Sequence, residues 1–185
     1  MRNLGLGLLF SIYFFMLAGC SAEPVASESA TPPALDYSAL HIVQHPAKQA
    51  ILIEGTYFEV VPTTEFTQSS GTPLQQQQLE PGDLVSLTAH RETTDILPGK
   101  GTLISLVRYD DERSQHISKA IAYALENQDT GGDIIAPSIK AVSSHSVTFQ
   151  FYDWGKTRKF EGIVNIGSLA FQIKELSYAP KEKNP

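Results

Sequence analysis

The chain has 185 residues, with 14 Lys or Arg against 20 Asp or Glu, a net charge of −6, 42% hydrophobic residues and a single cysteine. The apolar share is enough for a folded core, and a lone cysteine excludes a disulfide framework within the chain. The acidic balance argues against nucleic acid, whose phosphates need grouped cations; the basic clusters are Lys156-Thr157-Arg158-Lys159 and Lys181-Glu182-Lys183.

Arg2 and the apolar run from Leu4 to Leu17 have the charge and length of an export signal. The run is shorter than the roughly 20 apolar residues that a membrane-spanning helix needs, and polarity changes abruptly at Ser21-Ala22-Glu23-Pro24. At that boundary stands Leu17-Ala18-Gly19-Cys20, which resembles the lipobox of bacterial lipoproteins. The resemblance implies removal of residues 1–19, a diacylglycerol thioether on Cys20 and acylation, typically with palmitate, of the new amino terminus. Two or three acyl chains anchor stably, since each buried CH₂ contributes about 0.8 kcal/mol. An ordinary export signal cleaved nearby, with Cys20 incidental, is the alternative. The expected location is the extracytoplasmic side of the cell membrane. Ser21, where an Asp is the family's usual retention signal, also permits the outer membrane of a two-membrane cell. Residues 20–39 read as the lipidated cysteine and a polar, Pro-containing tether with little to bury.

Residues 40–110 have the texture of a β domain. Ala50 to Gly55 and Thr56 to Val61 are rich in β-branched and aromatic residues, and Pro62 is expected to end the second run. Thr64-Glu65-Phe66-Thr67 is a short alternating piece. Glu80-Pro81-Gly82-Asp83 is a turn signal ahead of the strand Leu84 to His90, and Pro98 to Gly101 is another ahead of Thr102 to Tyr109. Four or five short strands predict a small barrel. The Pro-Gly-Asp turn before a strand and Leu97-Pro98-Gly99-Lys100-Gly101 before the next look like the OB-like domains of uncharacterised extracytoplasmic lipoproteins. Such folds often bind oligonucleotides or oligosaccharides on one sheet face, and the acidic balance disfavours the former.

In residues 111–180 the period changes. Ile117, Ala120, Ile121, Ala124 and Leu125 fall at the spacing of a one-sided helix over 115–128, with Ser114 as N-cap and Gly131-Gly132 as the stop. Residues 139–153, 157–166 and 169–178 read as three strands joined by turns at Asp153-Trp154-Gly155-Lys156 and Gly167-Ser168. The fold class is therefore α+β: a small OB-like barrel followed by a helix and a three-stranded antiparallel sheet, with a tail at 181–185. The Ala-rich helix followed by Thr148 to Asp153 and Val164-Asn165-Ile166 looks like the PepSY type of extracytoplasmic module. That resemblance implies a module that binds or restrains a peptidase.

The chemistry-bearing residues do not form a catalytic pattern. His41, His45, His90, His116 and His145 are dispersed, and His41 and His45 lack the intervening Glu of a His-Glu-x-x-His zinc site. Asp110-Asp111-Glu112 lacks the spacing of a calcium loop and suits a helix N-terminus. Gly167-Ser168 lacks a nucleophile elbow, and Glu54 with Glu59 would flank a glycosidic bond only if folding set their separation. The sequence thus assigns no catalytic residue, metal or cofactor. The candidate binding residues are the aromatics Tyr57, Phe58, Tyr152 and Trp154, where a ring could stack on a sugar or dock a peptide side chain; the alternative for each is a core or lid role. The expected function is binding of an envelope protein or peptide by a membrane-anchored module, the alternative an envelope enzyme or enzyme accessory acting on a wall or sugar polymer.

Overall fold

Alternation of buried and exposed residues along Ile51-Leu52-Ile53 and Thr56-Tyr57-Phe58-Glu59 gives a hairpin one inward and one outward side, and that hairpin is part of a closed barrel. The computed structural model describes residues 35–47, 49–92, 98–130, 134–153 and 158–176, with backbone alone at 134 and 135. Strands β1 (His41–Pro46), β2 (Ala50–Ile53), β3 (Thr56–Gln68), β4 (Leu84–Arg91) and β5 (Gly99–Arg108) follow the order β2-β3-β5-β4-β1, and β1 pairs back onto β2. Among the described residues the protein is mostly β, with this closed five-stranded barrel and one α-helix. The β3–β5 pair is parallel and the other barrel pairs are antiparallel. The barrel is filled by Val43, Ile51, Ile53, Phe58, Leu103 and Leu106, all fully buried, each contributing about 1.5–3 kcal/mol.

Two expectations for this half are corrected. Pro62 does not end a strand: β3 continues to Gln68, and its register against β5 shifts between Val60 and Glu65. Pro62 lies inside the shift, so its missing N–H falls where the ladder is already broken. Thr64 repairs part of the gap, its Oγ1 accepting from the Val61 N–H at 3.0 Å and donating to the Leu103 carbonyl at 2.8 Å. The segment His41–Pro46, assigned no element above, is β1.

Helix α1 (Glu112–Asn127) starts three residues before the expected 115, because Asp111 and not Ser114 is the N-cap. The Asp111 carboxylate accepts from the Ser114 N–H at 3.0 Å and the Ser114 hydroxyl at 2.5 Å, and a cap of this kind is worth about 1 kcal/mol. The apolar stripe is as read: Ile117, Ala120, Ile121 and Ala124 are buried and Leu125 is partly so. The helix ends at Asn127; Gly131-Gly132 lies outside the described residues.

The helix packs on an antiparallel meander of four strands, not three: β6 (Ile134–Val142), β7 (Ser146–Asp153), β8 (Arg158–Asn165) and β9 (Phe171–Leu176). The single strand expected at 139–153 is a hairpin. Its turn is set by Ser143, whose N–H donates to the Ser146 carbonyl at 2.8 Å and whose hydroxyl accepts the Ser146 N–H at 3.0 Å. Phe149, Phe151 and Phe160 stack beneath the helix, with centroids 5.9 and 5.3 Å apart along the series. Both halves meet at β1, where His41 is a register partner of Val85 in β4 and of Ser138 in β6. One sheet thus crosses the expected boundary at 110, and the described residues from Leu35 onward form one compact unit.

Candidate functional site

The outer face of β2, β3 and β5 is a ladder of aligned residues. Leu52 lies opposite Tyr57 and Tyr57 opposite Lys100; in the next row Ala50 lies opposite Glu59 and Glu59 opposite Thr102. Because side chains alternate along a strand, these residues share one side. Tyr57 is 40% exposed there. Around it is a shallow groove of about 590 Å³ whose rim includes Gln49, Glu59, Glu92 and Lys100. Gln49 lies in the β1–β2 connection and Glu92 immediately follows β4. This is an aromatic ring within a rim of mixed charge, a surface suited to stacking and hydrogen bonding.

Phe58, the neighbour of Tyr57, is corrected from binding candidate to core residue. It is fully buried in the barrel, because one step along a strand reverses the facing direction. The guanidinium of Arg91 lies 5.5 Å from its ring centroid. Tyr152 is half-buried on β7 opposite Lys159, whose ammonium lies 5.6 Å from its ring centroid. It does not line the groove at Tyr57. Trp154 and Cys20 lie outside the described residues.

Of the polar residues weighed for catalysis, Glu54, His41 and Asp110 make contacts within the fold. Glu54 adopts φ 47° in the β2–β3 turn, a conformation disfavoured for a residue with a side chain, and its carboxylate lies 2.9 Å from His41 Nδ1, without the angles of a hydrogen bond. Arg91 stands 3.9 Å from the same carboxylate. The three side chains bring the hairpin turn, β1 and the end of β4 together at one point. Asp110 accepts from the hydroxyls of Ser69 and Ser70, each at 2.7 Å, which hold its carboxyl below the ordinary value. Among the described residues no three His, Cys, Asp or Glu side chains converge as a metal site.

A second concave region, unremarked in the sequence, flanks the Glu80–Asp83 turn where it meets α1. One side is a groove of about 650 Å³ lined by Asp83, Arg108, His116 and Lys119 among others. Asp83 is held above the usual carboxylate value of 3.8, chiefly by burial; the Glu80 charge adds to this, while the Glu80 N–H and Arg108 oppose it. Arg108 is 3.7 Å from Asp83 and donates to the Gln78 carbonyl at 2.8 Å. The other side is a more apolar groove of about 540 Å³ along the last turns of the helix. The sequence signal for both was the Pro-Gly-Asp turn, which gives no indication of what it packs against. No family model, curated protein or solved structure matches this chain.

Proposed function

We propose that this chain is a lipid-anchored binding protein of the cell envelope, held to the membrane through Cys20, whose OB-like barrel offers the face around Tyr57 to a protein or peptide. The observation that carries the binding reading is the exposed Tyr57 ring in its rimmed groove on the β2–β3–β5 face. OB folds use this face, flanked by the β1–β2 and β4–β5 loops, to hold extended polymers, and Gln49 and Glu92 stand in the corresponding places. Two carboxylates and one ammonium on the rim favour a peptide with complementary side chains over an oligonucleotide, which needs grouped cations. The PepSY-like resemblance of the helix and meander points to the same class of role, a module that binds another protein. The lipobox supplies location, and the polar tether supplies reach from the bilayer.

Two measurements test the proposal. Metabolic labelling with a fatty-acid analogue is expected to mark the native chain and not Cys20→Ala; equal labelling of both defeats the anchor. A photo-crosslinking residue at position 57 of the full chain, irradiated in native membranes, is expected to give a defined protein adduct. No adduct above that of a crosslinker at position 172, an exposed position on β9, defeats the binding face.

A further inference from the structure

The Glu80–Asp83 turn is fixed from both sides. The Gly82 N–H donates to the Val43 carbonyl at 2.8 Å and the Val43 N–H to the Asp83 carbonyl at 3.0 Å, while the Ser118 hydroxyl of α1 donates to the Gly82 carbonyl at 2.7 Å. Gly82 takes φ 94°, and a Cβ there would meet the Ala122 Cβ at 2.6 Å, so turn and helix touch with no space between them. The turn meets the helix at Ser118 and Ala122. What results is an open groove with Pro81, Ala122 and Leu125 as apolar surface and a glutamate on each wall, Glu80 from the turn and Glu126 from the helix. Its walls are tied in place, so a ligand would not have to order them.

The electrostatics of the groove are one-sided. Among the described residues neither the Glu80 nor the Glu126 carboxylate has a cationic partner within 4.0 Å. Glu126 also stands in the last turn of α1, which contains no basic residue, although a helix C-terminus carries partial negative charge and is favoured by cations. An acidic side chain there works against the helix that bears it. Beside it, the Glu80 charge already raises the carboxyl of Asp83. An apolar surface between uncompensated negative walls is complementary to a cation joined to an aliphatic group.

We propose that this groove docks a peptide segment of a partner protein in which a Lys or Arg side chain neighbours an aliphatic one, the aliphatic group resting on Pro81, Ala122 and Leu125 and the cation between Glu80 and Glu126. The groove shares no lining residue with the face at Tyr57, so this inference does not depend on the function proposed for that face.

The test is selection from a random-peptide display library on the full mature chain, followed by binding measurements with the enriched peptides. Enriched sequences are expected to pair a basic with an aliphatic residue. Their affinity should fall at least about tenfold in E126K and in E80K, and stay within about twofold in Y57A, since close charge complementarity is worth that much or more. Replacing the basic residue of the peptide by Gln should give the same loss without touching the fold. Enrichment of sequences without basic residues, insensitivity to both charge reversals and to the Gln peptide, loss in Y57A alone, or no enrichment at all would each overturn the proposal. Binding that appears only when Lys181 and Lys183 are changed to Glu would overturn it too, by assigning the groove to the chain's own terminus.

Discussion

Gly162 lies directly across the β7–β8 ladder from Phe149, and the Phe149 ring occupies the space that a side chain at 162 would need. A Cβ at 162 would stand 2.7 Å from Phe149 Cε1, well inside contact distance. The ring cannot swing away easily, since it stacks on Phe151, which stacks in turn on Phe160. Gly162→Ala is therefore expected to destabilise the chain by about 1–3 kcal/mol, the range for overpacking a filled core. Urea unfolding measures it. Phe149→Leu in the same chain should recover part of the loss, and strict additivity of the two changes would show that the ring is not the obstacle.

Gly82→Ala tests the seat of the turn on the helix. Its cost combines the φ of 94° with the approach to Ala122, and about 2 kcal/mol or more is expected from strain and overpacking together. Ser118→Ala, which removes only the hydrogen bond to the Gly82 carbonyl, should cost about 1 kcal/mol. Equal costs for the two would mean that steric contact contributes nothing.

Tyr57 and Phe58 make a paired prediction from adjacent positions. Phe58→Ala empties part of the barrel and should cost about 3–5 kcal/mol. Tyr57→Ala, at a position 40% exposed, should alter stability by no more than about 0.5 kcal/mol. Thermal or urea unfolding of the two variants separates them, and a large loss in Y57A would make that ring structural.

Asp83 sets a pH dependence of unusual sign for a carboxylate. Its folded value is raised above 3.8, chiefly by burial, so the folded state holds its proton more tightly than the unfolded state does. Its contribution to stability is fully present below 3.8 and is lost as pH rises through the folded value. Asp110, held below the ordinary value by its serine partners, acts in the opposite sense and loses its contribution as pH falls. Asp83→Asn should therefore gain stability relative to the native chain on going from pH 3 to pH 7. Urea unfolding of both chains across that range reads the slope, and a parallel pair of curves would contradict it.

The barrel was legible where alternation was clean and turn residues were strong, as at Glu80-Pro81-Gly82-Asp83. Pro98 to Gly101 carries the same turn residues, yet Gly99 to Gly101 already belong to β5, since pairing with the neighbouring strand overrides a local turn signal. The fold was misread where a local rule met tertiary context. Pro62 breaks a ladder in isolation, but here it occupies a register shift that the ladder already contains. The Ser143 turn lies between two apolar runs that read as one strand, because its serine hydroxyl makes a turn without Gly or Pro. Phe58 is the plainest case: Tyr57 and Phe58 are alike in sequence, and only the register decides which faces water. The helix stripe was read correctly since it depends on period alone, whereas its start depended on a choice between two good caps. The groove beside Glu126 was out of reach, because its two walls come from segments about forty residues apart.

The strand β1 belongs to the barrel and to the meander at once, and it is the first strand after residue 35. A pull on the chain ahead of it meets the short turn Tyr37–Ala39, packed on the meander core through Tyr37, and then His41–Pro46. Were that strand peeled away, the barrel would open between β2 and β4 and β6 would lose one of its two neighbours in the same event. Mechanically the fold is fused at its amino-terminal side, so tension there is borne by one short stretch of chain on behalf of two cores.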